Sequence, residues 1–166
     1  VSMQMNTQGS IRPTNIDVLT DQQQEVLLNS CPGIRVEARS DTESSATIQH
    51  DPVWGKYYRL QKAWSGTSNT RFQAATGGVL TSLSIHLLEE NKINFVYHIG
   101  ANPIKPLRNQ SYKSRTNPEV ISNCSSRYGP TSPLDGFIQA LEMQEPFAII
   151  AKPCDLNAVH NLSKID

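Results

Sequence analysis

Hydrophobic and polar positions from residue 51 onward predict strands and helices in alternation. Runs dense in β-branched and aromatic residues at Ile93–Ile99 and Phe147–Ala151 are typical of strands, and the second predicts a buried central strand. The remaining predicted elements are strands at Arg59–Ser65 and Leu107–Arg115, a helix after Gly78, and helices at Pro118–Cys124, Leu134–Met143 and Asn157–Leu162. This alternation favours an α/β fold with a mostly parallel or mixed sheet flanked by helices.

The first 50 residues are rich in Asn, Gln, Ser and Thr and predict little regular structure. One helix is predicted at Asp21–Asn29, with Thr20 and Gln23 as a capping box. Asp41–Gln49 has almost no large apolar side chains, which predicts a mobile linker. We therefore expect an irregular N-terminal extension at residues 1–50 and an α/β domain at residues 51–166.

Charge and cysteine content exclude several classes of function. The formal net charge is zero, so no basic surface indicates nucleic acid as a partner. No apolar run reaches the roughly 18–20 residues of a membrane span. Three widely spaced cysteines do not form a disulfide framework, which favours a reducing, cytoplasmic location. The sequence sets no expectation for the oligomeric state.

The most informative stretch is the Thr76-Gly77-Gly78 turn and the helix that follows it. Two glycines before a helix allow backbone N–H groups to approach a ligand, and the helix N-terminus suits an anion. The alternative is that the pair only forms a tight turn. On the helix, one apolar side is predicted to be buried, with Thr81, Ser82 and Glu89 largely away from it. That apolar side comprises Val79, Leu80, Leu83 and Leu87.

A second candidate loop, Lys152-Pro153-Cys154-Asp155, directly follows the predicted central strand. Ligands in α/β sheets lie beyond the carboxyl ends of strands, so we expect this loop and Thr76-Gly77-Gly78 to line one cleft. A cysteine held rigidly beside a cation suits iron ligation or a place next to a redox cofactor. The alternative is that Lys152 points to solvent and Cys154 packs as an inert small side chain.

Motifs in several places resemble a known family in order and spacing. They are Asp51…Trp54-Gly55, Ala63, Arg71, Thr76-Gly77-Gly78-Val79-Leu80-Thr81, Leu87-Leu88-Glu89, Ser126-Arg127-Tyr128 and Lys152-Pro153-Cys154. Together with Gly9…Pro13 and Cys31-Pro32-Gly33, they resemble the beta subunit family of coenzyme F-420 hydrogenase/dehydrogenase, which includes hydroxymethyl chlorophyll reductase. The resemblance covers about residues 51–164.

This resemblance implies a flavoprotein oxidoreductase with iron–sulfur clusters. It would pass electrons or hydride between FAD, a 4Fe-4S cluster and either coenzyme F-420 or a ferredoxin-type partner, with a redox partner protein or subunit. The residues it suggests for cofactor binding are Arg71, Thr76, Gly77, Gly78, Thr81, Ser126, Arg127, Tyr128, Lys152 and Pro153. The iron ligands it suggests are Cys31 and Cys154.

Departures from the family pattern leave a second class of function open. A lone cysteine cannot hold a cluster, so the iron–sulfur assignment requires cysteines outside this sequence, and the chain resembles a fragment of a longer protein. Lys152 also stands where the family has a small residue. The competing function is a non-catalytic assembly or partner-binding module that keeps the fold without cofactors. A transferase is a third possibility, for which no residue argues.

Overall fold

The structure is a computed structural model and describes residues 2–36 and 48–165. The helices within these residues are α1 (Asp21–Ser30), α2 (Ser68–Gln73), α3 (Val79–Glu89), α4 (Asn117–Ser122), α5 (Phe137–Leu141) and α6 (Pro153–Leu162). The strands are β1 (Ser2–Met5), β2 (Ile11–Thr14), β3 (Gln49–Asp51), β4 (Gly55–Tyr57), β5 (Phe95–Ala101), β6 (Asn109–Ser114) and β7 (Phe147–Ile149).

The main sheet has three strands in the order β6-β5-β7. Strand β5 pairs antiparallel with β6 and parallel with β7, so the sheet is mixed and the predicted fold class is confirmed. The prediction that Phe147–Ala151 is the central strand is wrong. The central strand is β5, where Phe95 and Val96 have no exposed surface, whereas the residues of β7 are only half-buried because β7 lies at an edge.

Aromatic side chains form the core on one face of this sheet. Phe95 and Phe147 stack with ring centroids 4.8 Å apart, and Tyr97 meets Phe137 edge-to-face at 6.0 Å. Each such pair adds about 0.5–1.5 kcal/mol beyond its burial. The helix predicted over Leu134–Met143 is shorter, because its first helical residue is Phe137 and it is preceded by a glycine at a φ of +86°.

The predicted strand at Arg59–Ser65 is wrong. No part of it is a strand, and its apolar side chains face solvent, with Leu60 91% exposed. Only at Ser65 does the backbone find a fixed partner, where its N–H donates to the carbonyl of Gly77 over 2.7 Å. The segment is therefore held by a turn rather than by a neighbouring strand.

Helix α3 forms as predicted, but the side it buries differs from the prediction. Thr81 and Ser84 are only 6% and 3% exposed, while Leu80 and Leu83 are 58% and 50% exposed. Small hydroxyl side chains allow the helix to approach its neighbours closely, and the Ser84 hydroxyl is satisfied by donating to the Leu80 carbonyl over 2.8 Å. Two leucines of the predicted apolar face are thus left on the surface.

The N-terminal part contains more structure than predicted. The helix α1 and its capping box are confirmed, since the N–H of Gln23 donates to the Thr20 hydroxyl over 3.3 Å and the Gln23 side chain accepts from the Thr20 N–H over 3.1 Å. The hairpin β1–β2 was not predicted, and α1 packs against α6. The predicted linker lies mostly in residues 37–47, outside the described residues.

Three other predicted elements form in the structure, and two of them agree closely with the predicted ranges. Strand β6 and helix α4 lie within the predicted ranges or one residue beyond them, whereas α6 begins at Pro153 instead of Asn157. Pro153 occupies the first helical position, where its missing N–H is harmless. In the described residues the longest helix has 11 residues, and none is long and apolar enough to cross a membrane.

Candidate functional site

The Thr76-Gly77-Gly78 turn lies immediately before α3, and its three residues have positive φ values of 53°, 70° and 73°. Gly78 has a φ of +73° and is buried, and a Cβ added there would lie 3.0 Å from the carbonyl oxygen of Thr70. A Cβ on Gly77 would lie 3.2 Å from the Cβ of Trp64. The protein's own chain therefore fills the space that the two missing side chains leave. Thr76 is the exposed residue of the turn.

A buried serine that sequence patterns did not indicate holds this turn in place. Ser65 is 2% exposed, and its hydroxyl accepts a hydrogen bond from the Ser82 hydroxyl over 2.7 Å. Its carbonyl accepts from Nη1 of Arg71 over 3.3 Å. Arg71 is exposed, while Thr81 is buried on the inner side of α3. Of these two predicted ligands of a cofactor, only Arg71 is thus accessible from solvent.

The predicted Ser126-Arg127-Tyr128 segment lies beside the start of β6. Nε of Arg127 donates to Oδ1 of Asn109 over 2.9 Å, and Nη2 donates to the carbonyl of Pro106 over 2.6 Å. The Asn109 amide in turn donates to the carbonyl of Gly129 over 3.3 Å. Arg127 is therefore a clamp between two loops, and the adjacent Tyr128 is 97% exposed with its ring free to meet a partner.

The predicted Lys152-Pro153-Cys154-Asp155 loop is the first turn of α6. The Lys152 N–H donates to Oδ2 of Asp155 over 3.2 Å, and its Nζ lies 3.8 Å from the same oxygen. Lys152 is therefore paired, at its exposed position, with a carboxylate of its own helix. Cys154 is exposed rather than packed inside. Because α6 begins at Pro153, Cys154 has a helical backbone, which fixes the direction in which the Cys154 side chain leaves the helix.

The two cysteines predicted as iron ligands lie toward opposite ends of α6. Nδ2 of Asn161 donates to the carbonyls of Ser30 and Arg35 over 3.5 and 3.2 Å, which places the Cys31 end of α1 near Asn161. Cys154 is two turns earlier on α6, about 10 Å along the helix axis. Residues 2–36 and 48–165 contain no group of three or more His, Cys, Asp or Glu side chains placed to hold a metal ion. Any cluster at either cysteine therefore needs ligands beyond these residues.

The third cysteine, Cys124, supports the Thr76-Gly77-Gly78 turn. Its carbonyl accepts a hydrogen bond from the N–H of Ala75 over 3.4 Å. Burial raises the pKa of its thiol, which keeps the thiol protonated. Cys124 is therefore a half-buried small side chain rather than a reactive thiol.

The expectation that the turn and Cys154 line one cleft loses part of its basis. It assumed that a strand leads into each loop, and no strand precedes the Thr76-Gly77-Gly78 turn. The turn contacts Trp64, Ser65 and Thr70, whereas α6 packs against α1. The shared cleft stays a prediction.

A cavity that the sequence analysis missed lies on the aromatic face of the sheet. Its volume is about 360 Å³, and it is lined by Tyr97, Ser111, Tyr112, Lys113 and Gly136. The available signal was the alternation of polar Ser111 and Lys113 on one face of the predicted strand Leu107–Arg115. The register that sets Tyr97 opposite Lys113 is not visible in the sequence, and without it the alternation indicates only a strand that faces solvent.

Fold and site define a small α/β domain with a mixed three-stranded sheet. Residues 60–139 match the model of the family described as coenzyme F420 hydrogenase/dehydrogenase, beta subunit N-term. This match confirms, over these residues, the family resemblance that the motif spacing predicted.

A solved structure supports the same fold. The chain is similar to a chain of the xenon-derivatized F420-reducing nickel–iron hydrogenase complex from Methanosarcina barkeri, with a TM-score of 0.54 and 20% sequence identity. The similarity covers 58% of this chain and 34% of that one, so the chain spans about a third of its length. A search of curated proteins found no match.

Proposed function

We propose that the chain is part of a flavin-dependent oxidoreductase subunit. It passes electrons or hydride between FAD, iron–sulfur clusters and a deazaflavin or ferredoxin-type partner, in complex with a redox partner subunit in the cytoplasm. The observation that carries the proposal is the family match over residues 60–139. The fold shared with a subunit of a hydrogenase complex agrees with it.

In this proposal some residues around the Thr76-Gly77-Gly78 turn support the turn, and others contact the cofactor. Gly77, Gly78 and Thr81 support the turn from inside, because their surroundings are the protein's own atoms. Thr76 and Arg71 are exposed, so in this proposal they are the residues that contact FAD. The flavin supplies the redox chemistry, and Arg71 supplies a cation for its diphosphate.

The role of Arg71 is tested by titrating the apoprotein with FAD and with riboflavin, which lacks the diphosphate. We expect Arg71→Gln to weaken FAD binding about tenfold, as the loss of one charge-assisted hydrogen bond predicts, and to leave riboflavin binding unchanged. Lys62→Gln is the control, since Lys62 is an exposed cation on the segment before the turn. Equal FAD affinity in both variants would remove Arg71 from the site.

The iron–sulfur part of the proposal concerns Cys31 and Cys154. In protein purified anaerobically in its native form, Cys31→Ser should lower the iron content and the reduced-state EPR signal of one cluster. Cys124→Ser is the matched control, because Cys124 is a half-buried free cysteine for which no iron ligation is predicted. Iron content that is the same in all variants contradicts ligation by Cys31.

A non-catalytic assembly module is the second candidate function. One observation favours it: the space beside the glycine pair is occupied by Trp64 and Thr70 rather than left open for a ligand. Such a module would be colourless as purified and would take up no flavin on reconstitution. Stoichiometric FAD in the purified protein would exclude it.

A further inference from the structure

Charge is distributed unevenly along the chain, although the formal net charge is zero. Six of the 15 lysines and arginines lie in residues 91–134, against one of the 15 acidic residues, Glu119. This segment therefore carries a formal charge of +5, and the rest of the chain carries −5. The net charge of zero conceals a basic region that attracts acidic partners.

The positive charges of this region are compensated at one end of the sheet and uncompensated at the other. Just beyond the end of β6, Arg115 pairs with Glu145 at 2.7 Å. The turn that joins β5 to β6, residues 102–108, carries Lys105 and Arg108, which are both exposed. Among the described residues, neither of these two side chains has a hydrogen-bond or ion-pair partner.

Two large apolar side chains lie on the same turn and face solvent. Ile104 is 85% exposed and Leu107 is 92% exposed. Each is followed directly by a cation, Lys105 after the isoleucine and Arg108 after the leucine. Solitary exposed apolar side chains are common, whereas a group of them rimmed by polar residues is typical of an interaction surface.

Hydrogen bonds hold this turn in one conformation. Oδ1 of Asn102 accepts from the N–H groups of Ile104 and Lys105 over 3.0 and 2.8 Å. Nη2 of Arg127 donates to the carbonyl of Pro106 over 2.6 Å, which adds a third cation whose partner here is neutral. Residues 102–108 together with Arg127 are called the basic tip below. A surface that is already ordered loses little conformational entropy on binding.

The chemistry of the basic tip distinguishes between classes of partner. Nucleic acid affinity grows with the number of phosphates neutralised, and three cations neutralise few. Segments that insert into membrane surfaces bury a larger apolar face than two aliphatic side chains provide. An acidic protein surface with an apolar centre is complementary to both the cations and the aliphatic side chains.

We propose that the basic tip docks the acidic surface of a small partner protein. Lys105 and Arg108 pair with carboxylates of the partner, and Ile104 and Leu107 lie between these pairs. A single turn is a small surface, which is typical of transient electron-transfer encounters rather than of permanent subunit contacts. This inference rests on the proposed function, in which it assigns the tip to the ferredoxin-type carrier and not to the permanently bound subunit.

The test is a calorimetric titration of the intact protein with a small acidic 2Fe–2S ferredoxin. It is carried out at about 50 mM and about 300 mM sodium chloride, because salt screens pairs between exposed charges. We expect binding at the lower salt that weakens about tenfold at the higher salt. Absence of binding at the lower salt overturns the proposal.

Charge variants locate the contact on the basic tip. Lys105→Gln and Arg108→Gln should each weaken binding about threefold at the lower salt, and the double variant should weaken it about tenfold. Lys92→Gln is the matched control, because Lys92 is an exposed cation of the same basic region but lies before β5, at the opposite end of that strand from the turn. An equal effect of Lys92→Gln and Lys105→Gln contradicts docking at the tip.

An apolar variant separates docking from general attraction between opposite charges. Leu107→Ser should weaken binding by a similar factor at both salt concentrations, because salt does not screen apolar burial. Leu60→Ser is the control, since Leu60 is 91% exposed on another segment. Circular dichroism and the thermal midpoint confirm that each variant is folded. No difference between the two serine variants contradicts an apolar contact at the tip.

Two further probes test the choice of partner class. Vesicles of phosphatidylcholine and phosphatidylserine represent a membrane surface, and a short DNA duplex represents nucleic acid. We expect both to bind more weakly than the ferredoxin. Tighter binding of either probe, lost in the Lys105→Gln/Arg108→Gln variant, overturns the assignment of the tip to a protein.

Failure of this inference is distinguishable from failure of the proposed function. If FAD binds and the ferredoxin does not, the flavin function stands and the basic tip is not a docking surface. If the ferredoxin docks at the tip and FAD does not bind, the docking surface stands and the flavin assignment fails.

Discussion

The hydroxyl of Ser82, on the first turn of α3, donates to the hydroxyl of Ser65 over 2.7 Å. Ser65 is 2% exposed and lies in the segment before α2, so this bond joins two parts of the chain that are 17 residues apart. The same serine fixes Gly77 through its N–H. The turn before α3 is therefore positioned by a buried polar contact rather than by a strand.

The Ser65–Ser82 bond predicts a measurable loss of stability. Ser65→Ala should lower the free energy of unfolding by about 1–2 kcal/mol, because the Ser65 hydroxyl bonds both Ser82 and Thr67. Ser82→Ala should cost only about 1 kcal/mol, because Ser65 keeps its hydrogen bonds to Thr67. The double variant should lose less than the sum of the two. Urea denaturation measures all three, with the exposed Ser68→Ala as a control near zero. Strict additivity would show that the two hydroxyls do not interact.

Replacement of Gly78 tests whether the glycine pair serves the fold. Gly78→Ala should destabilise the protein by more than about 1 kcal/mol, since alanine is strained at a φ of +73° and its Cβ would approach the Thr70 carbonyl at 3.0 Å. Gly66→Ala is the matched control, because a Cβ there meets no atom within 4 Å. Thermal or urea unfolding without FAD gives the comparison. Equal stability of the two variants would mean that the turn tolerates a side chain and is free for a ligand.

His98 should make stability depend on pH. Burial lowers the pKa of His98 to about 4, while its usual value is 6.5, and Nε2 lies 2.7 Å from the Ser114 hydroxyl. Between these two values the unfolded chain binds a proton that the folded chain does not, so stability falls as the pH falls below 6.5. The loss from pH 6.5 to 4.5 is about 2 kcal/mol.

The measurement is the free energy of unfolding from urea curves at several pH values in that window. Above about pH 4.5 the carboxylates with lowered pKa, such as Glu119 and Glu145, contribute little, because they lose stability only at more acidic pH. His98→Gln should flatten the dependence and His86→Gln, on the exposed part of α3, should not. A wild-type curve that is already flat would contradict the buried neutral imidazole.

The sequence predicted correctly those features that depend on residues close together in the chain. The capping box at Thr20 and Gln23 is a contact between residues three apart, and it was predicted in full. The strand at Ile93–Ile99 was found because its apolar run is continuous, although its central place was not. The position of a strand in a sheet depends on partners that are distant in sequence. The short apolar run Phe147–Ala151 contains β7, which lies at an edge because β5 is the strand between β6 and β7.

The errors at the candidate site have the same origin. Thr81 and Ser84 are polar in sequence, yet α3 buries them because small side chains allow close approach, and the larger Leu80 and Leu83 are left outside. The glycine pair was interpreted as room for a ligand, whereas Trp64 and Thr70 occupy that room. Neither fact is visible without the tertiary contacts.

Asn161 is predicted to control how firmly α1 is attached. Its buried amide bonds the carbonyls of Ser30 and Arg35, and its exposed fraction is 5%. Asn161→Ala should therefore speed amide hydrogen exchange across α1 by about tenfold, which corresponds to the loss of about 1.4 kcal/mol. Asn157→Ala, which removes only the contact within α6, is the control. Exchange in α1 that is the same in both variants would mean that apolar packing alone holds the helix.

The three cysteines should differ in their rate of reaction with a thiol reagent, and this order bears on which of them can meet an iron centre. Cys154 is exposed at the first turn of α6 and should react first. Cys31 is half-buried in a turn whose N–H groups from Ile34 and Arg35 bond its carbonyl, which should make it slower. Cys124 should react last, because burial raises the pKa of its thiol and only the thiolate attacks the reagent.

Mass spectrometry of peptides after timed alkylation at neutral pH gives the order, and single Cys→Ser variants confirm each assignment. If Cys124 reacts as fast as Cys154, its thiol is not protected by burial, and the predicted order is wrong.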